Sequence, residues 1–196
     1  MTKRWPRLVG GNPSLDFVNT DFFAADGSAD VLRSADEFLA WCAHAGVAST
    51  SEVPAKRPRA QEAAFLQEAV DVRGAIRSVM EAIATHSEPD RAALNALRSA
   101  YVDAVDGATP TLADGRLSWA WETTSPRGPL DELVGAAVDL LRNDPLDRLK
   151  ACPNCGYLFL DTTKNGSRRW CSMEDCGTQA KMRRYVTKRA EQRARA

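Results

Sequence analysis

The chain has 196 residues, 44% hydrophobic and 27% charged, with a mean hydropathy of −0.37. That balance suits one full domain plus a small appendage, or two small domains, and excludes wholesale disorder. No apolar run approaches the ~18 residues of a membrane span, and no secretory-type apolar stretch follows Met1-Thr2-Lys3-Arg4-Trp5-Pro6, so a cytoplasmic protein is expected.

The 26 basic and 26 acidic side chains cancel, but they are unevenly placed. From Ala151 onward there are ten Lys/Arg and four Asp/Glu, against sixteen and twenty-two before it. An acidic body with a basic tail points to a polyanionic partner for the tail.

The first 150 residues read mainly as helix. In Pro13 to Phe22, Leu15, Val18 and Phe22 share one helical face. Ser34 followed by Glu37 is a capping-box pattern opening a helix that carries Phe38, Leu39, Trp41 and Cys42 and ends near Gly46. Ser49 to Pro58 reads as a linker. Arg59 to His86 has Phe65, Val72, Ile76, Val79 and Ile83 at helical spacing, and a following helix has Leu94, Leu97, Tyr101 and Val105 inward. Asp114-Gly115, between Thr111-Leu112 and Leu117 to Trp121, signals a β-hairpin with alternating faces. A last apolar helix spans Leu130 to Arg142, and Pro145 opens a short helical turn. The domain boundary falls near Lys150, giving 1–150 and 151–196.

Four of the five cysteines lie in the tail, as Cys152-Pro153-Asn154-Cys155 and, fifteen residues on, Cys171 to Cys176. Two close pairs joined by a hairpin-length segment suit one tetrahedral Zn²⁺. Disulfides are disfavoured without a secretory segment, and a redox pair would sit at a helix start rather than before a strand. Four thiolates leave no open coordination position, so the zinc is structural. Gly156 lets the amides fold around the Cys152 sulfur. Tyr157 to Leu160 reads as a strand, reversed at Asn165-Gly166 and paired with a return through Arg168-Arg169-Trp170. Cys42 reads as a small buried hydrophobe.

Gly177 to Arg189 reads as a helix capped by Thr178. Met182, Tyr185, Val186 and the Arg189 stem form its inward stripe. Lys181, Arg184 and Lys188 lie outward, with Arg183 and Arg189 beside them and Arg168 and Arg169 extending the positive surface. A zinc-anchored cationic helix suits a phosphate backbone or a major groove. The alternative is a helix docked on the acidic body.

Arg168-Arg169-Trp170-Cys171-Ser172-Met173, Cys176-Gly177 and Ala180-Lys181-Met182-Arg183-Arg184, following Cys152-x-x-Cys155 and Phe159-Leu160-Asp161, resemble the CGNR zinc-finger family. Gly10-Gly11-Asn12-Pro13-Ser14-Leu15-Asp16-Phe17-Val18-Asn19-Thr20 is similar to the opening of the ABATE domain that precedes that finger. The resemblance implies a bacterial, stress-responsive transcription regulator: a mostly helical N-terminal domain as candidate ligand sensor, and a DNA-binding zinc finger. One departure stands out. The family's Cys-Gly-Asn-Arg is here Cys176-Gly177-Thr178-Gln179, and Gln cannot replace the charge or fork of Arg, although Gln179 could read adenine.

No enzyme is expected. His44 and His86 both fall near helix ends, and there is no phosphate loop, nucleophile elbow or His-Glu-x-x-His. Asp16 and Asn19, with Asp21, could line a small-molecule pocket walled by Trp41 or Trp119, or else bond the backbone and fix the first helix. The expected architecture is mainly α with a small β-hairpin, followed by a Cys₄ zinc finger of β-hairpin and helix. DNA is the expected partner, a homodimer would suit palindromic sites, and no membrane partner is expected. The alternative is a zinc-stabilised protein-interaction or scaffold module without DNA binding.

Overall fold

The computed structural model describes residues 5–21, 30–47, 58–113, 115–121 and 127–194. The element order is α1 (Pro13–Asn19), α2 (Ala35–Ala45), α3 (Arg59–Ala84), α4 (Arg91–Asp106), β1 (Thr109–Ala113), β2 (Arg116–Ala120) and α5 (Gly128–Asn143). A 3₁₀ turn at Leu146–Arg148 leads to β3 (Leu149–Ala151), β4 (Leu158–Leu160), a wide turn at Met173–Gly177 and α6 (Thr178–Ala194). The protein is mainly helical with two small antiparallel hairpins, as the patterning implied.

Local chemistry sets the helix ends. Asn12 caps α1 by accepting from the Ser14 N–H, and Pro13 occupies the first turn, where its missing N–H is no loss. Ser34 caps α2 by accepting from the Glu37 N–H, while the Glu37 carboxylate reaches back to the Arg33 N–H and guanidinium. Gly46 ends α2 at φ 73°, a left-handed conformation that favours glycine.

The 26-residue α3 is the spine. Phe65, Ala69, Ile76, Val79 and Met80 are buried along it, and α1, α2, α4, α5, β3 and β4 all pack on it. Phe17, Phe38, Trp41 and Phe65 form an aromatic knot with ring centroids 5.5–5.9 Å apart for the closest pairs. Each such buried ring contributes roughly 1.5–3 kcal/mol. The stripe of α4 is narrower than its periodicity suggests. Leu97, Ala100 and Ala104 are buried, whereas Leu94 is exposed, because α4 packs chiefly against α3 and α5. In α1, Leu15 and Val18 are buried as expected; Phe22 and the linker 49–57 lie outside the described residues.

The expected β1–β2 hairpin forms, with Ala113 opposite Arg116 and Gly115 at φ 74°; Asp114 lies outside the described residues. Its faces do not alternate between core and solvent. Leu112 and Leu117, opposite one another, are both exposed, and just beyond β2 Trp121 packs on Gly135 of α5.

The second hairpin differs from the expected one. β4 pairs with β3, with Leu149 opposite Leu160 and Ala151 opposite Leu158, and not with Arg168 to Trp170. The six residues 152–157 between the strands close the hairpin locally. The Asn165-Gly166 turn does form, with Gly166 at φ 58°, but Lys150 Nζ binds the Gly166 and Arg168 carbonyls at 2.5 and 3.2 Å. That holds the returning chain as a loop. Leu149, Leu158 and Leu160 belong to the main core, so this hairpin is packed into the helical body.

Candidate functional site

The first cysteine pair sits in the tight turn joining β3 to β4. The Cys152 N–H donates to the Tyr157 carbonyl and the Gly156 N–H to the Cys152 carbonyl, both at 2.8 Å. Gly156 at φ 77° permits this reversal. The Tyr157 N–H donates to the sulfur of Cys155, so that backbone bond reaches the second cysteine of the turn.

The second pair spans the wide turn Met173–Gly177. Ser172, rather than Thr178, caps this turn by accepting from the Asp175 N–H at 3.2 Å. Thr178 is already helical and donates its hydroxyl to the Met173 carbonyl. A Cβ at Gly177 would lie 2.6 Å from Met173 Sδ and 3.2 Å from Trp170 Cδ1, so a side chain there would displace the exposed end of Met173.

The four sulfurs converge. Cys152, Cys155, Cys171 and Cys176 place their Sγ atoms within 4.8 Å of one another, with Cys155–Cys171 at 3.5 Å and Cys171–Cys176 at 3.6 Å. A zinc tetrathiolate with bonds of about 2.3 Å has sulfur–sulfur edges of roughly 3.8 Å, so the cluster is of the right size. Four thiols this close cannot all ionise unaided. Hydrogen bonding from Cys171 pulls the Cys155 thiol down to about 5, while the bond to Cys155 and burial push Cys171 up. Burial raises Cys176 to about 11. A dication relieves that competition by stabilising four thiolates together. The donor set and spacing fit one structural zinc. Cys42, by contrast, is fully buried in the helical core, and burial holds its thiol far above the usual range.

The zinc module is fastened to the body at several points. The outward edge of β4 is closed by the N-terminal segment: Asn19 bonds both the N–H and the carbonyl of Leu158 at 2.8 Å, and the Gly10 carbonyl accepts from the Leu160 N–H at 2.8 Å. Gly10 has no room for a side chain, since a Cβ would meet Leu15 Cβ at 2.8 Å. Asp16 Oδ1 accepts from the Val9 and Gly10 N–H groups, both at 2.8 Å. Asp161, almost wholly buried, accepts from Lys150, Thr163 and the Arg168 N–H. Although burial opposes ionisation, those partners hold its carboxyl far below the usual range. Arg7 adds exposed ion pairs to Glu174 and Asp175 at 2.8 and 2.6 Å.

For Asp16 and Asn19 the sequence leaves a pocket-lining or a backbone-anchoring role open, with Trp41 as a pocket wall. Asp16 and Asn19 bond the backbone as just described, and Trp41 is fully buried in the aromatic knot. Trp119 lies on the β1–β2 hairpin. His44 stacks on Trp5 at 6.2 Å, and His86 follows α3 at φ 58°.

The residues expected to contact DNA differ in their surroundings. Arg168 is half-buried and committed to the interior: its guanidinium donates to the carbonyls of Val9 (2.8 Å), Cys171 (2.5 Å) and Trp170 (3.2 Å) and lies 4.4 Å over the Phe159 ring. Gln179 accepts from Asn154 Nδ2 at 3.0 Å, bridging α6 to the first cysteine turn. Arg169 is exposed over the Trp170 ring.

Lys181, Arg183, Arg184, Lys188 and Arg189 are all exposed on α6. So, unexpectedly, are Met182 (57%), Tyr185 (55%) and Val186 (61%), the residues expected to face inward. Among the described residues of α6 only Ala180, near its start, is buried, and the helix packs mainly on the preceding turn, with the Gln179–Asn154 bond as a further tie. Its amphipathic spacing is real, but the body does not reach it.

The comparisons with known proteins agree with this layout. The ABATE family, described as "putative stress-induced transcription regulator", matches residues 11–144, and the CGNR zinc finger matches residues 148–189. No curated protein matches the chain. The chain therefore belongs to the ABATE family and carries a CGNR zinc finger after its helical N-terminal region.

Proposed function

We propose that the protein is a cytoplasmic, non-enzymatic transcription regulator that binds duplex DNA through α6, with the zinc module as its anchor. The observation that carries this is the isolation of α6. It holds six Lys/Arg and one Glu, and Lys181, Arg183, Arg184, Lys188 and Arg189 make no ion pair among the described residues. A helix docked on the acidic body would have spent those charges on carboxylates. Instead the zinc turns pack on the body and α6 projects beyond them, available to phosphates.

Arg168 supports the fold rather than the DNA contact, so phosphate binding falls to Lys181, Arg184 and Lys188, with Arg169 nearby. A salt series with the zinc-loaded protein and random duplex DNA tests this. Affinity should fall steeply with salt, and Lys181→Ala/Arg184→Ala/Lys188→Ala should lower the slope of log K against log salt by about 3. No binding at low salt would overturn the assignment. A ligand-sensing role for the helical domain would appear as a shift in its melting temperature with an effector.

A further inference from the structure

At 100° per residue, Met182, Tyr185, Val186 and Arg189 occupy an arc of about 100° on α6. Lys181, Arg184 and Lys188 flank that arc on one side, and Arg183 flanks it on the other. We infer that this arc is the base-reading face of α6, seated in the major groove with cations on both rims against the two phosphate backbones. The inference rests on the DNA reading above and adds which residues select sequence.

Three features single out duplex DNA as the occupant. The helix is exposed on every side from Lys181 to Arg193, a length of ~20 Å, enough to cross a groove ~12 Å wide without obstruction from the body. The apolar side chains match the chemistry of thymine C5 methyl groups, and an arginine fork matches guanine O6 and N7. Arg189 is also pre-oriented, since its Nη1 donates to Tyr185 Oη at 3.2 Å and its guanidinium lies 5.6 Å from the Tyr185 ring centre. Tyr185 is thus a positioning residue for Arg189.

A second copy of α6 is a poor occupant. The apolar seam lasts only from Met182 to Val186 before Arg189 and Arg193 enter it, so a paired helix would bring like charges together, short of the three or four heptads a coiled coil needs. A lipid surface would want bulkier Leu, Phe or Trp on that face.

The test uses the full-length, zinc-loaded protein. Sites are selected from a random duplex pool with the wild type, with Met182→Ala/Val186→Ala and with Arg189→Ala. The selected sites are then remade with deoxyuridine for thymidine, which deletes only the C5 methyl. The wild type should enrich a motif containing thymine and guanine. Deoxyuridine should weaken wild-type binding and leave the Met182/Val186 variant unaffected. Arg189→Ala should lose roughly 5- to 150-fold discrimination at one G·C pair. Both variants should keep the wild-type salt slope within about one charge.

A salt-dependent interaction with no enriched motif, or a motif unchanged in both variants, would overturn the base-reading face and leave DNA binding intact. Absence of any DNA binding would overturn both. Preferential capture by phosphatidylglycerol vesicles, lost in the Met182/Val186 variant, would overturn it in favour of a membrane surface.

Discussion

Asn19 holds the peptide groups of Leu158 from both sides: its Nδ2 donates to the Leu158 carbonyl and its Oδ1 accepts from the Leu158 N–H, each at 2.8 Å. One side chain at the end of α1 thereby replaces a neighbouring strand along the free edge of β4. Because β4 leads out of the Cys152–Cys155 turn, this clasp couples the helical body to the zinc module. Removing it leaves two buried backbone groups unpaired, each costing roughly 1–3 kcal/mol. Asn19→Ala should therefore lose about 2–4 kcal/mol in denaturant unfolding and bind zinc more weakly in a chelator competition. A variant unfolding like wild type would show that β4 is held by its core leucines alone.

Zinc removal should act mainly on α6. From Lys181 to Arg193 every residue of this helix is exposed, and an isolated helix of its length and charge is marginal in water. A chelator should reduce the circular dichroism helix signal by roughly the share of α6, while the aromatic knot of the body persists. Metal analysis should give one zinc per chain, and cobalt(II) in its place should show the visible bands of a tetrahedral thiolate site. Retention of the full helix signal in zinc-free protein would mean that the turn capped by Ser172 suffices.

Arg168 and Arg169 are adjacent and of identical chemistry, yet their substitutions should behave differently. Arg168 supplies hydrogen bonds to the carbonyls of Val9, Trp170 and Cys171 and covers Phe159. Arg168→Ala should lose about 2–4 kcal/mol in denaturant unfolding, since buried carbonyls lose charged donors. Lys would restore little, having no planar fork. Arg169→Ala, exposed over Trp170, should stay within about 0.5 kcal/mol and show its effect, if any, in DNA affinity. Equal destabilisation of both would contradict the interior placement of Arg168.

That contrast marks where sequence patterning stops being informative. Caps and turns announce themselves locally: Asn12, Ser34, Gly46 and Gly115 each do what their residue types predict. The cysteine spacing is equally legible, because zinc imposes one geometry on two short turns. Non-local partners are not written that way. Arg168 looks like any cation in a basic cluster until the carbonyl of Val9, far away in sequence, is placed beside it. Met182, Tyr185 and Val186 show helical amphipathy, but periodicity cannot tell whether a partner surface lies within the chain. Asn165-Gly166 signals a turn without saying that Lys150 holds the returning segment off the sheet. The ion pair of buried Arg73 with Asp30, at 2.9 and 2.5 Å, escaped notice for the same reason.

Asp16 gives the fold a pH dependence of determinate sign. Burial raises its carboxyl from 3.8 to about 6, outweighing the N–H groups of Gly10 and Val9 and the charge of Arg168, which all act downward. The folded state therefore binds this proton more tightly than the unfolded chain does. Its stabilising contribution is fully present below about pH 4 and is lost as the pH rises through about 6. At pH 7 the buried charge costs on the order of 3 kcal/mol relative to acid conditions. Asp16→Asn removes the titration and keeps Oδ1 as acceptor for both N–H groups. The variant should match wild type near pH 4 and exceed it by about 1–3 kcal/mol at pH 7, and comparing the two at each pH cancels all other carboxylates. Asp16→Ala keeps no acceptor, leaving the Val9 and Gly10 N–H groups unpaired, and should be destabilised across the whole range. If Asn and Asp gave parallel stability profiles from pH 4 to 7, the Asp16 carboxyl would be titrating as it does in the unfolded chain, and its bonds to Val9 and Gly10 would have to offset its burial in full.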